Sequence, residues 1–253
     1  VCRPEAGKGM KPVNQSRINA PIRIAGWVGF LMAAVAATIS QGAESKSLPA
    51  ETRDPVQVMS PSKTTHTYKT VGDCQIKADV YRVSKDAVQP AILWIHGGAL
   101  ISGDRRSLRP DQLDRYLQTG YTVVSVDYRL APETKLDGII EDLRDAYRWM
   151  RSESSALQID PNRIAVIGHS AGGYLTLMAG FCLNPRPKAL ISFYGYGDIA
   201  GEWYSRPDPF YNQQPAVPKE EAYAAVGTAA IAEGSNRNRF RFYLYCRQQG
   251  LWP

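Results

Sequence analysis

The sequence predicts an α/β fold, a mostly parallel sheet with helices on both faces. Three observations carry that expectation. Short apolar runs of strand length recur along the chain, they alternate with stretches of helical periodicity, and turn residues separate them. With 253 residues, 44% of them hydrophobic, and four cysteines, the chain is long enough for one large domain. It is too apolar for general disorder and too poor in cysteine for a disulfide scaffold.

The first 43 residues stand apart. Arg3, Lys8, Lys11, Arg17 and Arg23 face only Glu5, so most of the formal charge of +6 belongs to this leader. An apolar run, Trp27 to Ile39, follows the basic start and gives way to Ser40, Gln41, Gly42 and Ala43. Basic start, apolar middle and small-residue end predict a secretory signal removed near Gly42, with cleavage after Ala37 as the alternative, and hence an exported protein. The run is short for a stable membrane span, so an uncleaved anchor is the lesser alternative. Residues 1–9, ahead of Met10, read as an extension. No Lys/Arg-dense run with interleaved aromatics occurs, so no nucleic-acid partner is expected.

Residues 44–65 are polar, carry Pro49, Pro55 and Pro61, and read as an arm or linker. The domain is expected from residue 66 onward. Lys77 to Val83 reads as a strand, and Ala91 to Ile95 is a continuous apolar run suited to a strand buried on both faces. A helix over Arg109 to Gln118 leads through Gly120 to a second buried strand, Tyr121 to Val126. Gly138 to Arg151 places Ile139, Leu143, Ala146 and Met150 on one helical face. Asp160-Pro161-Asn162 makes a turn before strand Ile164 to Ile167; a helix from Ala171 to Ala179 and strand Ala189 to Phe193 follow. Residues 198–250 read as a lid or as covering helices, with helices at Lys219 to Val226 and Asn236 to Gln249, the latter stopped by Gly250. Cys74, Cys182 and Cys246 show no metal or redox spacing and read as packing residues, with room for one bridge.

Chemistry concentrates at two motifs. Gly168-His169-Ser170-Ala171-Gly172 lies between an apolar strand and a helix, the setting in which G-x-S-x-G projects a serine nucleophile from a tight turn. Glycines at 168 and 172 leave room for that turn, and the helix beginning at Ala171 aims its positive end at developing negative charge. His96-Gly97-Gly98-Ala99 follows the first buried strand; such a turn exposes backbone N–H groups able to hold an oxyanion, and the N–H of Ala171 is a further donor. His96 reads as a hydrogen-bonding shaper of the loop.

HGGA, then Asp127-Tyr128-Arg129-Leu130-Ala131-Pro132-Glu133, then GHSAGG, resemble in type and order the hormone-sensitive-lipase-like branch of the α/β-hydrolase superfamily. The resemblance covers roughly residues 75 to 200. It implies a serine carboxylester hydrolase with no cofactor and no metal, acting on a small-molecule or polysaccharide-linked ester. It makes Ser170 the nucleophile, and Gly98, Ala99 and Ala171 the oxyanion donors. Gly97 shapes the turn, while Asp127, Arg129 and Glu133 brace the loop.

One part of that pattern is missing. The superfamily order is serine, then acid, then histidine, yet the only histidines are His66, His96 and His169, and none follows Ser170. His169 should point away from its neighbour, His96 lies across the site, and His66 falls in the arm. Asp198 has no imidazole to orient. Two expectations follow: an α/β-hydrolase domain incomplete at its C-terminal end, which would bare a hydrophobic sheet edge, or a complete but catalytically silent binding module. Peptidase and acetyl-polysaccharide esterase chemistry are sister readings on the same fold.

Overall fold

A computed structural model of the chain describes residues 61–83 and 87–251, with only the backbone of 236–238. The leader, its cleavage site and the arm up to residue 60 lie outside the described residues. Of the arm, Ser62 onward is already sheet. Strand β1, Ser62–Val71, turns through Gly72 and Asp73 and pairs antiparallel with β2, Cys74–Arg82. The polar sequence of β1 hid it: with half of its residues exposed and none fully buried it lacks the apolar alternation that marks a half-buried strand, and its threonines support extension only through β-branching. His66 therefore sits in a strand and not in a linker.

The remaining strands are β3, Gln89–Ile95, β4, Thr122–Val126, β5, Ile159–His169, and β6, Ala189–Phe193. The sheet order is β1-β2-β4-β3-β5-β6, and β4, β3, β5 and β6 run parallel. The expected turn at Asp160-Pro161-Asn162 is an irregularity inside β5: the Asn162 N–H donates to the Asp160 carboxylate, and the register against β3 jumps across it. Helices are α1, Pro110–Gln118, α2, Leu136–Ser152, the single turn α3, Ser154–Leu157, and α4, Ala171–Cys182. They are followed by α5, Lys219–Ala224, and α6, Asn236–Gln249, with Gly250 ending α6 at φ 68°.

Alternation along the central strands fills both faces. Ala91, Leu93 and Ile95 enter the larger core with Ile139, Leu143, Ala146 and Met150 of α2 and Leu175 of α4. Ile92 and Trp94 enter a smaller core that includes Leu117 of α1. β6 differs. Among the described residues it has a neighbour on one side only, and Leu190, Ile191 and Phe193 stay 39%, 42% and 39% exposed, a bare apolar edge. Between β6 and α5 the chain forms two short 3₁₀ turns, Glu202–Ser205 and Tyr211–Gln213. Among the described residues no disulfide joins any two of Cys74, Cys182 and Cys246. Among the described residues no helix is long and apolar enough to cross a membrane.

Candidate active site

β5 passes into α4 with no loop, and Ser170 alone absorbs the change of direction at φ 53°, ψ −116°. A non-glycine residue there costs about 1–3 kcal/mol and persists only where its surroundings impose it. Here the Ser170 N–H donates to the Phe193 carbonyl at 2.9 Å, and its own carbonyl accepts from the Tyr174 N–H at 3.0 Å. The glycine at 172 is required by proximity: a Cβ there would lie 2.1 Å from the Ile95 carbonyl oxygen. That close approach presses the start of α4 against the end of β3.

The turn after β3 is thereby brought onto the serine. A Cβ on Gly97 would sit 3.3 Å from the Ser170 Cβ, so turn and elbow touch. Gly98, Ala99 and Leu100 follow at φ 109°, 55° and 62°, three successive left-handed residues that reverse the backbone. The reversal is closed by the Gly98 carbonyl, which accepts from the N–H groups of Ile101 and Ser102 and from the Ser102 hydroxyl, each at 3.0 Å. Among the described residues the N–H groups of Gly98, Ala99 and Ala171 donate to no protein acceptor. Ala99, Leu100, Ser170 and Ala171 line one cavity of about 50 Å³, closed by Tyr174, Tyr196 and Tyr243.

The histidines are elsewhere. His96 is fully buried behind the turn, stacked on Tyr128 at 4.2 Å, with Nδ1 2.6 Å from the Gly97 carbonyl. Burial lowers its pKa to about 4, so it is neutral at pH 7. His169 has both nitrogens engaged: Nδ1 meets the Tyr194 hydroxyl at 3.0 Å and Nε2 meets the Gln112 amide at 3.0 Å. Burial, and then the Arg109 charge, lower its pKa. His66 on β1 contacts Thr64 of the same strand and Trp149 of α2, four strand spacings from β5, about 19 Å at the usual inter-strand distance. The cavity thus holds three phenols and neither imidazole nor carboxylate. Burial, its first cause in each case, raises the pKa of Tyr174 and of Tyr243, so both are donors at neutral pH and not bases.

The loop residues that the resemblance marks as braces are in ionic contacts. Arg105 donates to Asp127 through its backbone N–H at 2.7 Å and its guanidinium at 2.5 Å. Arg129 forks onto Asp142 of α2 at 2.8 and 2.7 Å. Glu133 accepts from Arg239 of α6 at 3.0 and 2.5 Å. Asp198 accepts only a local contact from the Ala200 N–H at 3.4 Å and is not among the residues around Ser170. Among the described residues no three His, Cys, Asp or Glu side chains are grouped to hold a metal ion. The tyrosines were not legible as a group. Tyr174 lies one helical turn beyond Ser170, but Tyr196 and Tyr243 arrive from distant segments with no motif around them.

Comparison with known proteins places this arrangement in context. The family model BD-FAE matches residues 78–200. A non-reducing polyketide synthase of Preussia isomera, Preu6, is 37% identical over 166 residues, which is 60% of this chain and 7% of that protein. Another, atr1 of Stereocaulon alpinum, is 36% identical over 54% of this chain and 6% of its own length. The chain therefore spans only a small fraction of these curated relatives. Among solved structures, an alpha/beta hydrolase superfamily protein from Enterococcus faecalis superposes with a TM-score of 0.59 at 27% identity, covering 76% of this chain and 67% of that one. A protein of unknown function from Staphylococcus aureus gives 0.63 at 25% identity, covering 75% and 67%.

Proposed function

From the premise that this chain belongs to the α/β-hydrolase superfamily and carries its esterase-type fold, we propose that it is built for carboxylic ester hydrolysis through an acyl-enzyme on Ser170. The observation that carries the reading is the strained Ser170, at φ 53°, sharing one cavity with Ala99 and Ala171. In the reaction, the Ser170 oxygen bonds to the ester carbonyl carbon and its proton passes to a base. The N–H groups of Gly98, Ala99 and Ala171 hold the resulting oxyanion. Collapse breaks the bond to the alcohol oxygen, which takes a proton as it leaves. Water then repeats the attack on the acyl-enzyme and releases the acid.

Among the described residues no side chain around Ser170 serves as that base, so the isolated chain should acylate slowly. Treating the expressed chain with a fluorophosphonate and mapping the adduct by mass spectrometry tests the assignment. Ser170 is the expected site, with no adduct in Ser170→Ala and a thermal midpoint within a few degrees of the parent. An adduct elsewhere, or equal labelling of Ser170→Ala, refutes it. The absent imidazole favours a second reading, a silent module that binds esters without cleaving them; binding with no adduct at Ser170 would select it. We also propose export, supported by the basic, apolar and small-residue order of residues 3–43; amino-terminal sequencing of secreted protein should start near Ala43.

A further inference from the structure

Ser170 lines the smaller of two spaces of very different size that meet at one residue. On one side lies the cavity of about 50 Å³ that it shares with Ala99 and Ala171. A water molecule occupies about 30 Å³ in the liquid, so this space holds roughly two heavy atoms. On the other side of Tyr196 a cleft of about 310 Å³ opens, lined by Gly197, Asp198, Trp203, Asp208 and Arg247. Tyr196 belongs to both.

The wall between them is braced. The Tyr196 ring packs edge-on against Trp203 at 4.5 Å, and the Tyr243 hydroxyl bonds the Tyr211 hydroxyl at 2.8 Å. Arg247 lies over both partners, 5.1 Å from the Trp203 ring centre and 5.4 Å from that of Tyr211, and is paired with Asp208. Tyr174 packs against Tyr204 at 6.0 Å, and Tyr204 in turn lies 6.2 Å from Tyr196. Rings held in this way do not swing aside for a longer chain.

Which half of the ester takes the small side follows from the order of bond breaking. The alcohol must leave, and water must reach the acyl-enzyme, so the larger cleft suits the departing half. The acyl group stays attached through both steps and needs no exit until the end. Resting on the acyl-enzyme reading above, the geometry points to Tyr174, Tyr196 and Tyr243 as the residues that limit the acyl group to acetyl size, with the bulkier, polar alcohol portion lying over Trp203 and Asp198.

The test is a titration of the ¹⁵N-labelled chain with acetate, butyrate and hexanoate, the acids that such esters would release, following the amide signals of Ala99 and Ala171. Acetate should move these signals, and hexanoate should bind at least tenfold more weakly. In Tyr196→Ala and in Tyr243→Ala, hexanoate should bind at least as well as acetate. Tyr196 is 47% exposed, so its truncation leaves the core intact even if that of Tyr243 does not. Equal binding of acetate and hexanoate by the parent, no shift with any acid, or an unchanged ratio in a folded Tyr196→Ala would each overturn the assignment. Acetate selectivity combined with an unlabelled Ser170 would overturn the hydrolytic reading alone and leave the size limit standing.

Discussion

His96 links the backbone of the glycine turn to the pH dependence of the fold. The ring is fully buried, stacked on Tyr128, and holds the Gly97 carbonyl with Nδ1. Its folded pKa, lowered to about 4 by burial, lies below the ordinary value of 6.5, so the unfolded chain binds a proton that the folded chain refuses. Stability is therefore unaffected above pH 6.5 and declines as pH falls from there toward 4. At 1.36 kcal/mol per pKa unit the loss is about 3 kcal/mol. Urea unfolding of the parent and of His96→Asn at pH 7 and pH 4.5 should show the parent losing more stability than the variant. Equal losses would mean that the ring is solvated. At this scale the sequence spoke clearly: glycines flanking Ser170 and following His96 report close backbone approach, because no other residue fits where a Cβ would meet a carbonyl oxygen.

α2 shows how an element is fixed from outside its own stripe. Its apolar face was readable from spacing, and Ile139, Leu143, Ala146 and Met150 are all buried. Its polar anchor was not: Asp142 accepts from the Arg129 backbone and guanidinium and from Lys69 of β1, partners 13 and 73 positions away with no periodic relation to it. Asp142 is wholly buried, so Asp142→Ala removes the main carboxylate partner of Arg129, while Lys69 keeps Asp145 at 2.6 Å, and should cost about 3 kcal/mol, read as a lower urea midpoint with an unchanged slope. A cost under 1 kcal/mol would show that water replaces the carboxylate. β1 was invisible for the converse reason. Half of its residues are exposed, most of its side chains are polar, and its pairing with β2 rests on backbone hydrogen bonds that leave no mark on hydropathy.

At the scale of the whole chain the decisive quantity is the number of imidazoles. Three histidines lie behind the turn, beside Gln112, and on the far strand, and none reaches Ser170. General bases contribute roughly 10²- to 10⁴-fold, so imidazole added in solution should raise p-nitrophenyl acetate turnover at least tenfold over the Ser170→Ala blank. The gain should grow with pH as the added imidazole loses its proton. No serine-dependent gain would mean that the elbow does not present a competent hydroxyl. The parallel sheet and the two motifs were legible because each is written in contiguous residues. The tyrosine wall was not, since it is assembled by folding from α4, the segment after β6, and α6.

Arg239 of α6 reaches the carbonyls of Ile101 and Ala131 and the Glu133 carboxylate, and Gly234 bridges Gly103. The same helix that contributes Tyr243 is thus moored to the strand-to-loop reversal that presents the Ala99 amide. Lifting α6 to admit a molecule would unseat those carbonyls and disturb the reversal that carries the Ala99 amide. The stretch from Tyr196 to Tyr211 is tied to that helix as well, through Asp208 to Arg247 and Tyr211 to Tyr243, so a molecule would have to arrive along the open cleft beyond Tyr196, over a wall and a glycine turn that both stay still.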